Sequence, residues 1–267
     1  MLGGAAQGSF ARLAAGDPKI FESHYLPLRD MVRTHKLDGL DLDIEEPTDP
    51  ASTVRLIDRL REDFGRDFLI TLAPVASALL PGDNQPHLSG PDFHYAELER
   101  LRGDQIAWYN AQFYCGWGDA ASTRWYDAIV QGAGWPARKV VMGLVTNPGN
   151  GAGWVEWSAL EATLRTLRAR YPDFGGVMGW EYFNSLPGDT PRPWEWAARI
   201  AANIRTVVPL PPSPGLMPVA PPPPPVGFPP QSIQFLVELG FDEHQAIAAL
   251  TLAGGNVDYA AGLLLQD

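Results

Sequence analysis

The stretch Leu37-Asp38-Gly39-Leu40-Asp41-Leu42-Asp43-Ile44-Glu45-Glu46-Pro47 decides how this chain is read. Aliphatic and acidic residues alternate from Leu40 to Glu45, the period of a β-strand. Leu40, Leu42 and Ile44 therefore share one face, and Asp41, Asp43 and Glu45 share the other. Neighbours on one face stand about 6–7 Å apart, and three carboxyls at that range cannot all stay ionised cheaply. If helices cover the apolar face, as in a parallel sheet, the acids point into a barrel interior or a cleft. Two other readings compete: a solvated edge strand with its acids outward, and an oxygen-ligand site for Mg²⁺ or Ca²⁺. No residue at a fixed spacing supports a metal, since the histidines (His24, His35, His87, His94 and His244) are scattered.

Outward from that strand, short apolar runs alternate with amphipathic stretches. Strands are predicted at 1–4, 38–45, 68–75, 106–114, 139–145 and 176–183. Between them, Val54, Ile57, Leu60 and Phe64 recur at helical spacing after a start signal at Thr48 and Pro50. Further helices are predicted at 157–170 and 194–207. This alternation is the pattern of an α/β protein with a parallel sheet.

A (β/α)₈ barrel needs about 250 residues, so 267 residues would accommodate one. The prolines divide the chain otherwise. Of 26 prolines, 12 fall in 209–230, a segment without charge that includes the run 221–225 and reads as an extended polyproline linker. It separates residues 1–208, which hold all nine tryptophans, from a tail, 231–267, with five acids and no Lys or Arg. The 20 Lys and Arg against 31 Asp and Glu give a net charge of −11, which argues against nucleic acid or an anionic membrane as partner. No apolar run approaches the roughly 18 residues of a spanning helix. The single cysteine, Cys115, forms no intrachain disulfide, so folding does not depend on an oxidising compartment. Residues 1–6 lack a basic start and end at Gln7, so no signal peptide is predicted.

The pattern Asp38-Gly39-x-Asp41-x-Asp43-x-Glu45 resembles the fourth-strand signature of glycoside hydrolase family 18, the family of chitinases and endo-β-N-acetylglucosaminidases. Gly3-Gly4 is similar to the end of that family's third strand, Ala111-Gln112-Phe113-Tyr114 to its sixth, and Gly176-Val177-Met178-Gly179-Trp180 to its eighth. The resemblance spans residues 1 to about 205 and implies a (β/α)₈ TIM barrel of which strands three to eight are present. The barrel is thus expected to be truncated at its N-terminal side. The implied reaction is retaining, substrate-assisted hydrolysis of β-1,4-linked N-acetylglucosamine glycans, with no cofactor and no metal. By the same resemblance Glu45 is the general acid and base, and the crowding of carboxyls is expected to leave it a proton near neutral pH. Asp43 holds the substrate's acetamido N–H, Asp41 tunes Asp43, Tyr114 donates to the acetamido oxygen and Gln112 orients that group. Trp180 forms the floor under the sugar, and Gly4 and Asp38 join the substrate-binding set. Glu46, out of phase, is expected to point away. Two alternatives remain open: an endo-β-N-acetylglucosaminidase acting on N-glycan cores, and a non-catalytic glycan-binding ubiquitin adaptor.

In the tail, helices are predicted at 232–239, 242–253 and 257–266, the second opened by a capping box at Asp242 and Gln245. This three-helix all-α pattern resembles the ubiquitin-associated (UBA) domain. Leu239-Gly240-Phe241 stands for its Met-Gly-Phe/Tyr loop, and Gly255-Asn256 and Leu264-Leu265 for its turn and terminal leucines. The resemblance implies a ubiquitin-binding patch of Leu239, Gly240, Phe241, Leu264 and Leu265. Ubiquitin as partner implies the cytoplasm, or the nucleus, as the compartment.

Overall fold

A computed structural model describes residues 1–14, 16–82, 87–205, 228–241, 243–252 and 257–264. In chain order the first elements are β1 (Leu2–Gly3), α1 (Ser9–Leu13), α2 (Pro18–Thr34), β2 (Gly39–Asp43), α3 (Pro50–Phe64), β3 (Leu69–Leu72), α4 (Tyr95–Arg102) and β4 (Trp108–Gln112). There follow α5 (Arg124–Asp127), β5 (Val140–Val145), α6 (Trp157–Arg170), β6 (Val177–Trp180), α7 (Trp194–Arg205), α8 (Pro230–Glu238), α9 (Glu243–Leu252) and α10 (Val257–Leu264). All six predicted strands are present and join one sheet in the order β1-β2-β3-β4-β5-β6. The pairs β1–β2, β2–β3 and β3–β4 are parallel. Strands alternating with helices in this order are those of the (β/α)₈ barrel class.

Two compact units can be distinguished. The first comprises Met1–Gln112, Ile129–Met142 and Asp173–Gly176; the second comprises Phe113–Ala128, Gly143–Pro172 and Val177–Asp267.

In the first unit the aliphatic face of β2 is buried, as are Leu56, Ile57 and Leu60 of α3 and Phe21, Tyr25 and Val32 of α2. Each fully buried aliphatic side chain contributes roughly 1.5–3 kcal/mol. Both long helices begin at an Asp-Pro pair: Asp17 accepts from Lys19 N at 2.8 Å and Asp49 from Ala51 N at 3.2 Å. Such a cap is worth about 1 kcal/mol. The residue that caps α3 is therefore Asp49. Thr48, the residue favoured by the sequence, instead donates its hydroxyl to Glu46 O at 2.8 Å. The helices α2 and α3 are tied by the Tyr25 hydroxyl, which donates to Asp63 at 2.8 Å, and by Arg59, which reaches Asp63 at 2.7 Å and Glu22 at 3.0 Å.

The register aligns Asp41 with Thr71 and Thr71 with Trp108. Alternation then puts Asp41 and Asp43, Thr71 and Ala73, and Trp108, Asn110 and Gln112 on a common face. Backbones approach closely at Gly3, where φ is +93° and an added Cβ would stand 2.1 Å from Asp43 O. Only glycine tolerates both conditions.

In the second unit, buried Asp127 accepts from the Tyr171 hydroxyl at 2.6 Å and pairs with Arg170. The three short helices α8, α9 and α10 close around Leu236, Ala246, Ala249, Leu250 and Ala260, with Ile233, Val257 and Leu264 packed against this core. Residues 209–227 of the proline-rich segment, and Asp242, Gly255, Asn256 and Leu265, lie outside the described residues. Among the described residues no helix is long and apolar enough to cross a membrane.

Candidate active site

The paired part of β2 ends at Asp43, so Glu45 stands two residues past it. The three acids meet a polar ladder on β3 and β4. Asp41 accepts from Asn110 Nδ2 at 3.1 Å and from the Thr71 hydroxyl. The Asn110 oxygen is in turn occupied by Trp108 Nε1 at 3.0 Å, which fixes the amide with its NH₂ toward the acid. One step along, Gln112 Nε2 lies 3.2 Å from Asp43 Oδ1, 3.1 Å from Glu45 Oε1 and 3.0 Å from Ala73 O. A single amide thus bridges the two acids.

Asp43 is 5% exposed, the deepest of the three. Burial, and secondarily the charges of Glu45 and Asp41, push its carboxyl up to about 8. Its burial thus favours the protonated form of Asp43. Gly4 (φ +96°) donates its N–H to Asp43 O at 2.9 Å, and an added Cβ would stand 3.5 Å from Asp43 Oδ2. Its missing side chain leaves the space beside that oxygen open.

Asp38 does not join this group. It is exposed at the opposite end of β2, and its backbone carbonyl accepts from Leu69 N at 2.8 Å. Glu46 is buried and turned elsewhere: its carboxylate accepts from Gly8 N at 2.7 Å and Phe10 N at 2.6 Å, around the start of α1. Thr71 and Asn110 were not singled out from sequence. Their one signal is that Asn110 and Gln112 are polar at alternate positions of an otherwise apolar strand.

The second unit holds Tyr114 and Trp180. Tyr114 is buried, and an added Cβ on Gly153 would come within 3.1 Å of its Cα. Trp180 ends β6 with 39% of its surface exposed, and its carbonyl accepts from Thr146 N at 2.9 Å. In the tail, Leu239 is 45% exposed after α8, Gly240 turns the chain at φ +103°, and Phe241 and Leu264 are half-buried.

Chemically, the first unit presents a carboxyl that keeps its proton near neutral pH beside a second carboxyl fixed by the same amide, an arrangement suited to acid–base work at a single bond.

Known proteins resemble both parts of this chain. A fungal endo-β-N-acetylglucosaminidase from glycosyl hydrolase family 18 is 50% identical, with a TM-score of 0.71 over 76% of this chain and 70% of that one. Chitinase ChiC from Aspergillus fumigatus is 54% identical, with a TM-score of 0.66 over the same shares, 76% and 70%. A putative chitinase A from Streptomyces coelicolor, 19% identical with a TM-score of 0.58 over 76% of this chain and 72% of that one, shares the fold. Residues 228–264 match the family model of the UBA/TS-N domain. A stretch of 55 residues is 49% identical to DNA damage-inducible protein 1 of Chaetomium globosum; it makes up 21% of this chain and spans 12% of that curated relative.

Proposed function

This chain belongs to glycosyl hydrolase family 18, and on that footing we propose that it hydrolyses β-1,4-linked N-acetylglucosamine glycans and binds ubiquitin through residues 228–264. The observation that carries the enzymatic reading is the Gln112 bridge between Asp43 and Glu45, beside which burial raises the Asp43 carboxyl. Glu45 gives a proton to the glycosidic oxygen as the bond from that oxygen to the anomeric carbon breaks. The substrate's acetamido oxygen attacks the same carbon and forms an oxazolinium ion. Asp43 holds the acetamido N–H, and Asp41, itself held by Thr71 and Asn110, tunes Asp43. Glu45 then takes a proton from water, which opens the ring with net retention. Tyr114 and Trp180 serve the acetamido oxygen and the sugar face, and Gln112 keeps the acids in place. Neither this mechanism nor this substrate calls for a cofactor.

A second reading, cleavage of N-glycan cores, is supported by the 50% identity to a fungal endo-β-N-acetylglucosaminidase. Both need Glu45. The test is Glu45→Gln assayed on a fluorogenic chitooligosaccharide and on an N-glycoprotein: turnover is expected to vanish while glycan binding survives. Undiminished turnover overturns the mechanism, the substrate that wild type cleaves chooses between the two readings, and binding without turnover in wild type identifies a glycan-binding adaptor. Ubiquitin binding would place the protein in the cytoplasm or nucleus, which fractionation of cells expressing it would check.

A further inference from the structure

The backbone around Trp180 is fastened on one side by the loop that follows β5. Thr146 N donates to Trp180 O at 2.9 Å, the Thr146 hydroxyl donates to Glu181 O at 2.6 Å, and Leu186 N donates to Thr146 O at 3.1 Å. Three asparagines extend the hold. Asn147 Nδ2 donates to Asn184 O at 2.9 Å while its Oδ1 accepts from Gly149 N at 2.9 Å, so both ends of that amide are engaged. Asn150 and Asn184 form a reciprocal pair, with Asn150 Nδ2 to Asn184 Oδ1 at 2.9 Å and Asn184 Nδ2 to Asn150 Oδ1 at 2.6 Å. Asn150 Nδ2 also lies 3.4 Å from Trp180 O and 3.3 Å from the Thr146 hydroxyl. From the other side Gly179 is wedged between the Thr146 methyl and the Trp196 ring, where an added Cβ would stand at 2.6 and 2.7 Å.

The main chain at 179–181 is thus held from two sides while the Trp180 ring stays 39% exposed. A ring that stacks on a sugar gains when its orientation is fixed before the ligand arrives, because the ordering cost is already met. Neither Asn150 nor Asn184 is needed to close the fold's core, for both are only half-buried. Their amides are matched to each other and to the loop that carries the indole. We infer that Asn150 and Asn184 are positioning residues that set the Trp180 ring for the sugar, an inference that rests on Trp180 serving as the sugar's floor.

The experiment is a double-mutant cycle on the full chain, with Asn150→Ala and Asn184→Ala each measured alone and in a Trp180→Ala background. kcat/KM is read on a chitooligosaccharide, affinity in a Glu45→Gln background, and thermal midpoints alongside. Each asparagine variant is expected to lose about tenfold to a hundredfold in kcat/KM, and less than about twofold once Trp180 is already alanine. Asn150→Asp, which keeps one amide-to-carboxylate bond, is expected to recover part of the loss. A loss of the same factor in both backgrounds, or no loss where Trp180→Ala itself loses activity, overturns the inference while leaving the hydrolase reading standing. A Trp180→Ala chain as active as wild type removes the premise and the inference together. A wild type that neither cleaves nor binds chitooligosaccharide overturns the hydrolase reading and this one with it.

Discussion

Gln112 Nε2 stands 3.1 Å from Glu45 Oε1, and the same nitrogen reaches Asp43 Oδ1 at 3.2 Å. The two acids sit two residues apart on one chain, yet their mutual placement is set from β4, by a residue 67 positions beyond Glu45. An amide is suited to this because it brings two N–H groups and no charge. A lysine there would favour the ionised form of both acids. A hydrogen bond to a charged group is worth roughly 1.5–3 kcal/mol, or about tenfold to a hundredfold in rate. Gln112→Leu is therefore expected to lower kcat/KM on a chitooligosaccharide by about that factor, with far-UV circular dichroism unchanged. Gln112→Glu, which adds a fourth carboxyl, is expected to lose more. A Gln112→Leu enzyme of wild-type activity would contradict the bridge.

Asp43 links the site to stability. Its carboxyl ionises near 3.8 when exposed and near 8 in the fold. Below both values the group is protonated in either state and contributes no pH dependence. Between them the folded chain binds the extra proton, so the stability that Asp43 supports falls as pH rises through this window and is lost above it. Asp43→Asn, which cannot ionise, is expected to be more stable than wild type at about pH 9, with the gap closing toward about pH 4. Urea midpoints across that range check the sign, and a gap that widens on acidification would show that Asp43 is ionised in the fold.

Much of this site is legible in eight residues of sequence, because a strand's period of two is local and the acids at 41, 43 and 45 fall into step without help from elsewhere. The six strands and the limits of α6 follow from patterns of the same kind. What escaped was long-range. That Thr71 and Asn110 reach Asp41 depends on the register of β2, β3 and β4, which no local pattern records. That the Asp43 carboxyl is raised depends on its burial, which the residue type alone does not record. Asp38 illustrates the converse: it belongs to the signature that identified the strand but sits exposed at the wrong end of it.

Glu46 is a buried acid with a structural task. Its two oxygens accept the N–H groups of Gly8 and Phe10, which otherwise open α1 without partners. Leaving buried donors unpaired costs about 1–3 kcal/mol. Glu46→Ala is thus expected to lower the unfolding free energy from urea titration by that amount, and Glu46→Gln, with one oxygen left, by less. Because the carboxylate faces away from Asp43 and Glu45, affinity for a chitooligosaccharide at low temperature is expected to change less than about twofold where the fold is retained. A stability loss absent from Glu46→Ala would show that water replaces the two bonds.

The ubiquitin patch proposed for the tail is tested where exposure and core separate. Leu236 is fully buried in the small three-helix core, whereas Leu239, three residues on, is 45% exposed. Gly240 at φ +103° turns the chain between Leu239 and Phe241, and a side chain there would be strained whatever its size. An aspartate in place of a leucine at the centre of a contact both removes apolar burial and leaves an unpaired charge out of water. Leu239→Asp in the full chain is expected to weaken ubiquitin binding by about tenfold or more, leaving helical content and glycan hydrolysis as in wild type. Leu236→Asp is expected to unfold the three helices and lose binding for that reason, which circular dichroism and proteolysis of the tail distinguish. In ¹⁵N-labelled full chain, shifts at Leu239, Gly240, Phe241 and Leu264 on adding ubiquitin would locate the patch. Shifts confined to other residues, or a Leu239→Asp chain that binds as wild type, would place the ubiquitin contact elsewhere on the chain or remove it.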